Sequence, residues 1–142
     1  MGMKGKILKF CKLWLPPILW AILIFKFSSG TIPTSTKIYW LNFTVNKIGH
    51  ILLFGTLALL TYRAMVGEGM GRKKAAIWAI IVSLFYGATD EYHQMYTQGR
   101  EAKVRDVIID GIGASLIVYL VYKVLPRFPK KVQTFLLQFD IK

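Results

Sequence analysis

Four apolar blocks, roughly Ile7–Phe27, Ile48–Val66, Ala75–Gln94 and Val107–Leu125, constrain this chain more than any other feature. Each runs about 20 residues, the length an α-helix needs to cross about 30 Å of hydrocarbon. The first is the weakest, because Lys9 and Lys12 shorten its uncharged core, although both side chains can snorkel to the headgroups. At 142 residues there is room for one domain. The expected fold is therefore all-α, a single integral membrane bundle of four transmembrane helices.

The positive charge orients that bundle. A net charge of +12 would point to nucleic acid in a soluble protein, but here the lysines and arginines sort by position. Lys4, Lys6, Lys9 and Lys12 precede the first apolar core, Arg63, Arg72, Lys73 and Lys74 flank the middle turn, and Lys123, Arg127, Lys130, Lys131 and Lys142 follow the last block. All of these fall on one side of a four-span arrangement. The opposite loops hold Lys37, Lys47, Arg100, Lys103 and Arg105, with Lys26 near the end of the first span. The positive-inside rule then puts both termini in the cytoplasm, so the basic character is an orientation signal and no nucleic-acid partner is expected. A cleaved signal peptide is disfavoured by Lys26 beside the only small-residue step and by Pro16-Pro17 within the apolar run. Cys11 is the single cysteine and reads as a packing thiol.

Local signals fill in the connections. Pro16-Pro17 removes two backbone donors and predicts a kink or restart in the first span. Ser28-Ser29-Gly30-Thr31-Ile32-Pro33 ends it, and Ile38-Tyr39-Trp40-Leu41 reads as a short segment in the headgroup zone on the outer side. Asn46 is the expected N-cap of the second span. Gly67-Glu68-Gly69-Met70-Gly71 lacks the spacing of a dinucleotide fingerprint and the Lys-Ser/Thr of a phosphate loop, and is read as a linker. In the tail at 127–142, Val132, Phe135, Leu136 and Phe139 share one face behind Lys130 and Lys131, the pattern of an amphipathic helix on the inner leaflet.

Five of the seven acidic residues (Asp90, Glu91, Glu101, Asp106, Asp110) lie in one stretch between the third and fourth blocks. Ionisable groups at membrane depth are costly and default to a functional reading. Four alternating spans bring Ser28, Lys47, His50, Asp90, Glu91, Gln94, Arg100, Arg105, Asp106 and Asp110 to a single leaflet. Asp106 and Asp110 start a helix, where the dipole favours carboxylates, whereas Asp90 and Glu91 end one and should need cations, with Lys47, His50, Arg100 and Arg105 available. A structural ion-pair network is the plain alternative. His50, with Asp90 or Glu91, is the candidate acid–base group, and Ser28 or Ser29 with His50 as base would make a nucleophile. No two-histidine helical spacing or CxxC supports a metal, so neither metal nor other cofactor is assigned.

The pattern Asn46-Lys47-x-x-His50, Asp90-Glu91-x-x-Gln94, Gly99-Arg100, Asp106, Asp110 and Gly113 resembles the VanZ-like family, as does Ser28-Ser29 at the end of the first span. The resemblance covers about residues 18–122. It implies a small bacterial membrane protein associated with teicoplanin-type antibiotic resistance or the cell envelope. Two positions depart from it, Asn46 where the family has Asp and Asp110 where it has Asn. Glycopeptides of the teicoplanin type bind lipid-linked wall precursors outside the membrane, the leaflet to which these residues converge. The expected function is a membrane protein whose outward pocket binds a polar or anionic lipid headgroup or envelope precursor, with Lys47, Arg100 and Arg105 on phosphate. The rival readings are an acid–base or metal-assisted hydrolase of such a lipid and a non-catalytic partner subunit. The bilayer is the one partner expected outright, and the sequence does not set an oligomeric state.

Overall fold

The computed structural model describes residues 2–30, 39–98, 100 and 102–137. Among these residues every regular element is helical: α1 Met3–Ser28, α2 Tyr39–Gly67, α3 Arg72–Gln94, α4 Val104–Tyr119 and α5 Lys130–Leu137. Between α4 and α5 the chain continues through a π-helical turn, Leu120–Val124, and a 3₁₀ turn, Leu125–Arg127. Three helices are long and apolar enough to cross a membrane, Met3–Ser28, Trp40–Gly67 and Val104–Arg127. The third expected span forms as α3, but its apolar stretch is diluted by Arg72, Lys73 and Lys74 at one end and Asp90, Glu91 and His93 at the other, and it is not among those three.

Three local expectations are corrected. Pro16-Pro17 does not restart the first helix, which runs through both prolines. The carbonyl that Pro16 leaves without its amide, Lys12 O, receives a long hydrogen bond from Arg63 Nη2 at 3.5 Å. Asn46 is not an N-cap either, because α2 already begins at Tyr39 and carries Asn46 in its third turn. For the same reason Tyr39–Leu41 is the first turn of α2 and not a separate interfacial segment. The tail forms a short helix over Lys130–Leu137, while Phe139 and the rest of the expected amphipathic stretch lie outside the described residues.

Small residues let the helices approach. Helices α2, α3 and α4 pack against one another, and α1 leans mainly on α2. The inner cluster is built from Ala58, Tyr62, Ala75, Ala76, Ala79, Ala114 and Val118, the small-residue interface expected where lipid supplies no hydrophobic drive between helices. A Cβ on Gly113 of α4 would stand 2.5 Å from the Ile51 carbonyl oxygen of α2, so this crossing requires glycine. A second cluster, Ile24, Phe54 and Leu57 with Trp20 and Tyr86 beside them, ties α1 to α2 and α3. Its polar tips are satisfied: Trp20 Nε1 donates to Leu53 O at 2.8 Å and Tyr86 Oη to Ala21 O at 2.7 Å. At the opposite end of the bundle Arg72 donates to Tyr62 Oη and to Tyr122 O, a carbonyl in the π-helical turn.

The outside of the bundle is apolar. Ile18, Leu19, Ile22 and Phe25 of α1, Ile77, Trp78, Ile81 and Phe85 of α3, and Ile108, Ile112 and Leu116 of α4 are all exposed. A belt of this extent is a surface for lipid, not for water.

Candidate functional site

Helical periodicity sets which side chains turn inward at one end of the bundle. On α3, Ser83, Gly87, Asp90, Glu91 and Gln94 are the buried face; on α4 it is Asp106, Asp110, Gly113 and Ala114. Lys47, His50 and Phe54 of α2 share the face opposite them. The end of α1 adds Ser28, which is buried. Nine of the ten residues expected from the sequence meet here, and Arg105 lies at the rim with its side chain half exposed.

The pairings are specific. Lys47 Nζ stands 2.6 Å from both carboxylate oxygens of Asp106, joining α2 to the first turn of α4. One turn deeper, His50 Nδ1 is 2.9 Å from Asp110 Oδ1, and Asp110 is fully buried. Glu91 Oε2 accepts from the backbone amide of Lys103 at 2.7 Å. It thereby caps α4 from another helix, since Lys103 is the N-cap position and supplies no side-chain cap itself. Asp90 Oδ2 accepts from Gln94 Nε2 at 2.9 Å, one helical turn on. The two carboxylates at the end of α3 thus find amide donors and not the cations expected for them.

The cations have other work. Arg100 donates through Nε to Gly30 O at 2.8 Å and through Nη2 to Phe27 O at 2.5 Å. These are carbonyls at the C-terminus of α1, where positive charge is favoured by the helix dipole. Burial pulls the Arg100 guanidinium below its usual range, and the carboxylates of Asp90 and Glu91 oppose that shift. Arg105 lies over the Phe43 ring, 4.9 Å from its centroid, with Nε 3.8 Å from Asp106 Oδ1. Lys47 approaches the same ring at 5.3 Å. Phe43 was not singled out in the sequence; an aromatic in the first turns of a span reads as an ordinary headgroup anchor.

A half-open cavity of about 100 Å³ occupies the space between α1, α2 and α3. Ser28, Asn46, His50, Asp90, Gln94 and Arg100 form its polar wall, and Ile24, Phe27, Leu53 and Phe54 its apolar one. Among the described residues, four buried oxygens around this end have no hydrogen-bond partner: Ser28 Oγ, Asp90 Oδ1, Glu91 Oε1 and Asp110 Oδ2. Leaving a buried acceptor unmet costs about 1–3 kcal/mol, more when it is charged, so four together single out this end of the bundle as the candidate site. One donor atom from each of His50, Glu91 and Asp110 lies within 4.8 Å of the others, a grouping of potential metal ligands that sequence spacing did not reveal.

Ser29 does not form the expected nucleophile pair with His50. Ser29 Oγ is 3.0 Å from His93 Nε2, not from His50, and it also donates to Phe25 O at 2.7 Å. With its proton committed to a backbone carbonyl, Ser29 is an acceptor for His93 and not an activated alcohol. His50 is likewise paired with Asp110 and not with Asp90 or Glu91.

The family described as VanZ/LLP1 matches residues 13–126, a stretch that takes in every residue of this site. No curated protein and no solved structure matches the chain.

Proposed function

This chain belongs to the VanZ/LLP1 family and is a multi-pass membrane protein, and on that premise we propose that its polar cavity receives the headgroup of an envelope lipid or lipid-linked wall precursor. In this reading α3 also crosses the membrane, bringing the spans to four. Its 23 residues reach about 34 Å at 1.5 Å per residue, and its outward face is the apolar run Ile77, Trp78, Ile81 and Phe85. The basic N-terminal segment, middle turn and tail then face the cytoplasm of the cell membrane, and the cavity opens outward. An outward site that holds wall-precursor lipid would connect the protein to teicoplanin-type resistance or envelope maintenance.

The observation that carries the proposal is the cavity wall itself. Among the described residues, Ser28 Oγ and Asp90 Oδ1 are unpartnered and stand beside a guanidinium that engages two of its roughly five donors. That combination suits a group that offers both an anionic oxygen and hydrogen-bond donors, such as a phosphate next to an amine or a sugar hydroxyl. Arg100 takes the anionic oxygen, while Asp90, Ser28 and the amide of Gln94 or Asn46 take the donors. Arg105 steers at the rim. Lys47, bound by both oxygens of Asp106, holds α2 to α4 and is not a phosphate contact.

Lipids retained through detergent purification should therefore differ between wild type and Arg100→Gln or Asp90→Asn. Quantitative mass spectrometry should find a phosphate-bearing lipid enriched in wild type and returned to its membrane proportion in both variants. Equal retention in all three would rule the proposal out.

A hydrolytic reading draws on a separate observation, the His50–Asp110 pair at 2.9 Å, in which a buried carboxylate fixes an imidazole whose other nitrogen is left for proton transfer. Incubating the purified protein with extracted lipid tells the two apart, since a hydrolase changes the lipid and a receptor returns it intact.

A further inference from the structure

We propose that His50, Glu91 and Asp110 form a binding site for one divalent transition-metal ion, in the class of Zn²⁺ or Mn²⁺, where α2, α3 and α4 meet. The site does not depend on the headgroup reading and goes beyond it.

Geometry supplies the first reason. One donor atom from each of the three residues lies within 4.8 Å of the other two. His50 Nδ1 and Asp110 Oδ1 are 2.9 Å apart, close to the roughly 3 Å separating neighbouring ligands that each stand about 2.1 Å from one ion. The other separations, up to 4.8 Å, must close as the ion binds. The second reason is unmet valence: Glu91 Oε1 and Asp110 Oδ2 are buried acceptors without a partner, on side chains that are 5% and 0% exposed. The other oxygen of Glu91, Oε2, is already held by the Lys103 amide at 2.7 Å. A carboxylate fixed through one oxygen and free at the other has the support typical of a metal ligand.

Charge gives a third reason. Asp90, Glu91 and Asp110 cluster inside the bundle, while Lys47 is bound to Asp106 and Arg100 donates to the end of α1. Arg100 still acts on Asp90 and Glu91 through space, but one guanidinium leaves the three carboxylates in excess, and a divalent ion balances two of them. The backbone makes space as well: a Cβ on Gly87 would stand 2.8 Å from Asp110 Oδ2, so glycine at this position admits the Asp110 carboxylate against α3. One imidazole with two carboxylates is a borderline donor set, suited to Zn²⁺ or Mn²⁺ and poor for Ca²⁺ or Cu⁺. Three protein ligands leave a coordination position open.

The test is calorimetric titration of ZnCl₂, and separately MnCl₂, into detergent-solubilised protein stripped with EDTA, in lipid-free micelles, with the melting temperature read at each end point. Wild type should bind one equivalent of at least one of the two ions and melt higher with it. Glu91→Gln and His50→Gln should each weaken that binding about tenfold or more, and Glu68→Gln, an exposed acid at the far end of the bundle, should bind as wild type does. No saturable binding of either ion to folded wild type would overturn the proposal, as would undiminished binding in a folded Glu91→Gln or His50→Gln variant. Because lipid is absent throughout, the result is independent of whether a headgroup occupies the cavity.

Discussion

Gly87 of α3 and Asp110 of α4 interlock: a methyl group on residue 87 would lie 2.8 Å from Asp110 Oδ2 and 3.2 Å from its Cβ. Asp110 has little freedom to yield, being fully buried and held by His50. On an open helix surface Gly→Ala would stabilise by about 1 kcal/mol. Here the overlap should reverse the sign, and Gly87→Ala should cost about 1–3 kcal/mol. Thermal unfolding in detergent reads this as a lower midpoint, and a higher one would mean that α3 does not press on α4.

A larger loss is expected at Gly113. The atoms it faces, Ile51 O at 2.5 Å and Ile51 Cα at 2.7 Å, are backbone and cannot rotate away. Gly113→Ala must move α2 from α4, so its midpoint should fall further than that of Gly87→Ala under the same conditions. Equal midpoints would place the two contacts in the same class.

The Lys47–Asp106 pair is mostly buried, with side chains 15% and 9% exposed. Removing one partner strands the other, so Lys47→Met and Asp106→Leu should each cost about 3–5 kcal/mol, while the double variant should recover most of that loss. Denaturant unfolding of the four proteins closes the cycle. Additive losses would show that the pair is not coupled.

How much of this could be read beforehand differs by type of feature. The apolar blocks located α1 through α4 because length and hydropathy survive without tertiary information, and alternation then brought Ser28, His50, Asp90 and Asp106 to one end. The pairings were not legible. Asp90 with Gln94 lies four residues apart on one helix, yet the bond linking Lys47 to Asp106 spans 59 residues and depends on how α2 crosses α4. Gly87 gave no signal because its contribution is the absence of a side chain. The bonds from Arg100 to the end of α1 were not legible either, because a loop sequence does not show which helix end it will cap. The early start of α2 was hidden by Trp40 and Phe43, which suit the headgroup zone equally well as a separate segment or as the first turns of a span.

The two positions at which the sequence resemblance implies a departure, Asn46 and Asp110, both relate to His50. Asn46 precedes His50 by one turn on α2, and Asp110 bonds to the same imidazole. Exchanging both, Asn46→Asp with Asp110→Asn, moves the acid from one side of His50 to the other. The double variant should unfold at a midpoint closer to wild type than the sum of the two single losses predicts. Strict additivity in the melting measurements would show that the positions are independent.

Orientation has its own signature. In a Cys11→Ser background, a cysteine at Gln98 should react with a membrane-impermeant maleimide added to intact cells, and one at Gly69 should react only after lysis. Gln98 follows α3, whereas Gly69 sits in the α2–α3 turn with φ of 102°. Labelling of both from outside, or of neither, would show that α3 does not cross.

Whether the cavity beside Asp90 and Arg100 holds a particular headgroup is tested most directly by a photo-reactive residue in its wall. Asn46 lines the cavity, whereas Trp78 lies on the outer face of α3. Irradiation in native membranes followed by mass spectrometry of the adducts should give one phosphate-bearing lipid class from position 46 and the bulk lipid composition from position 78, with the selective adduct lost in Arg100→Gln. The same bulk composition from both positions, or a selective adduct that survives Arg100→Gln, would contradict the account.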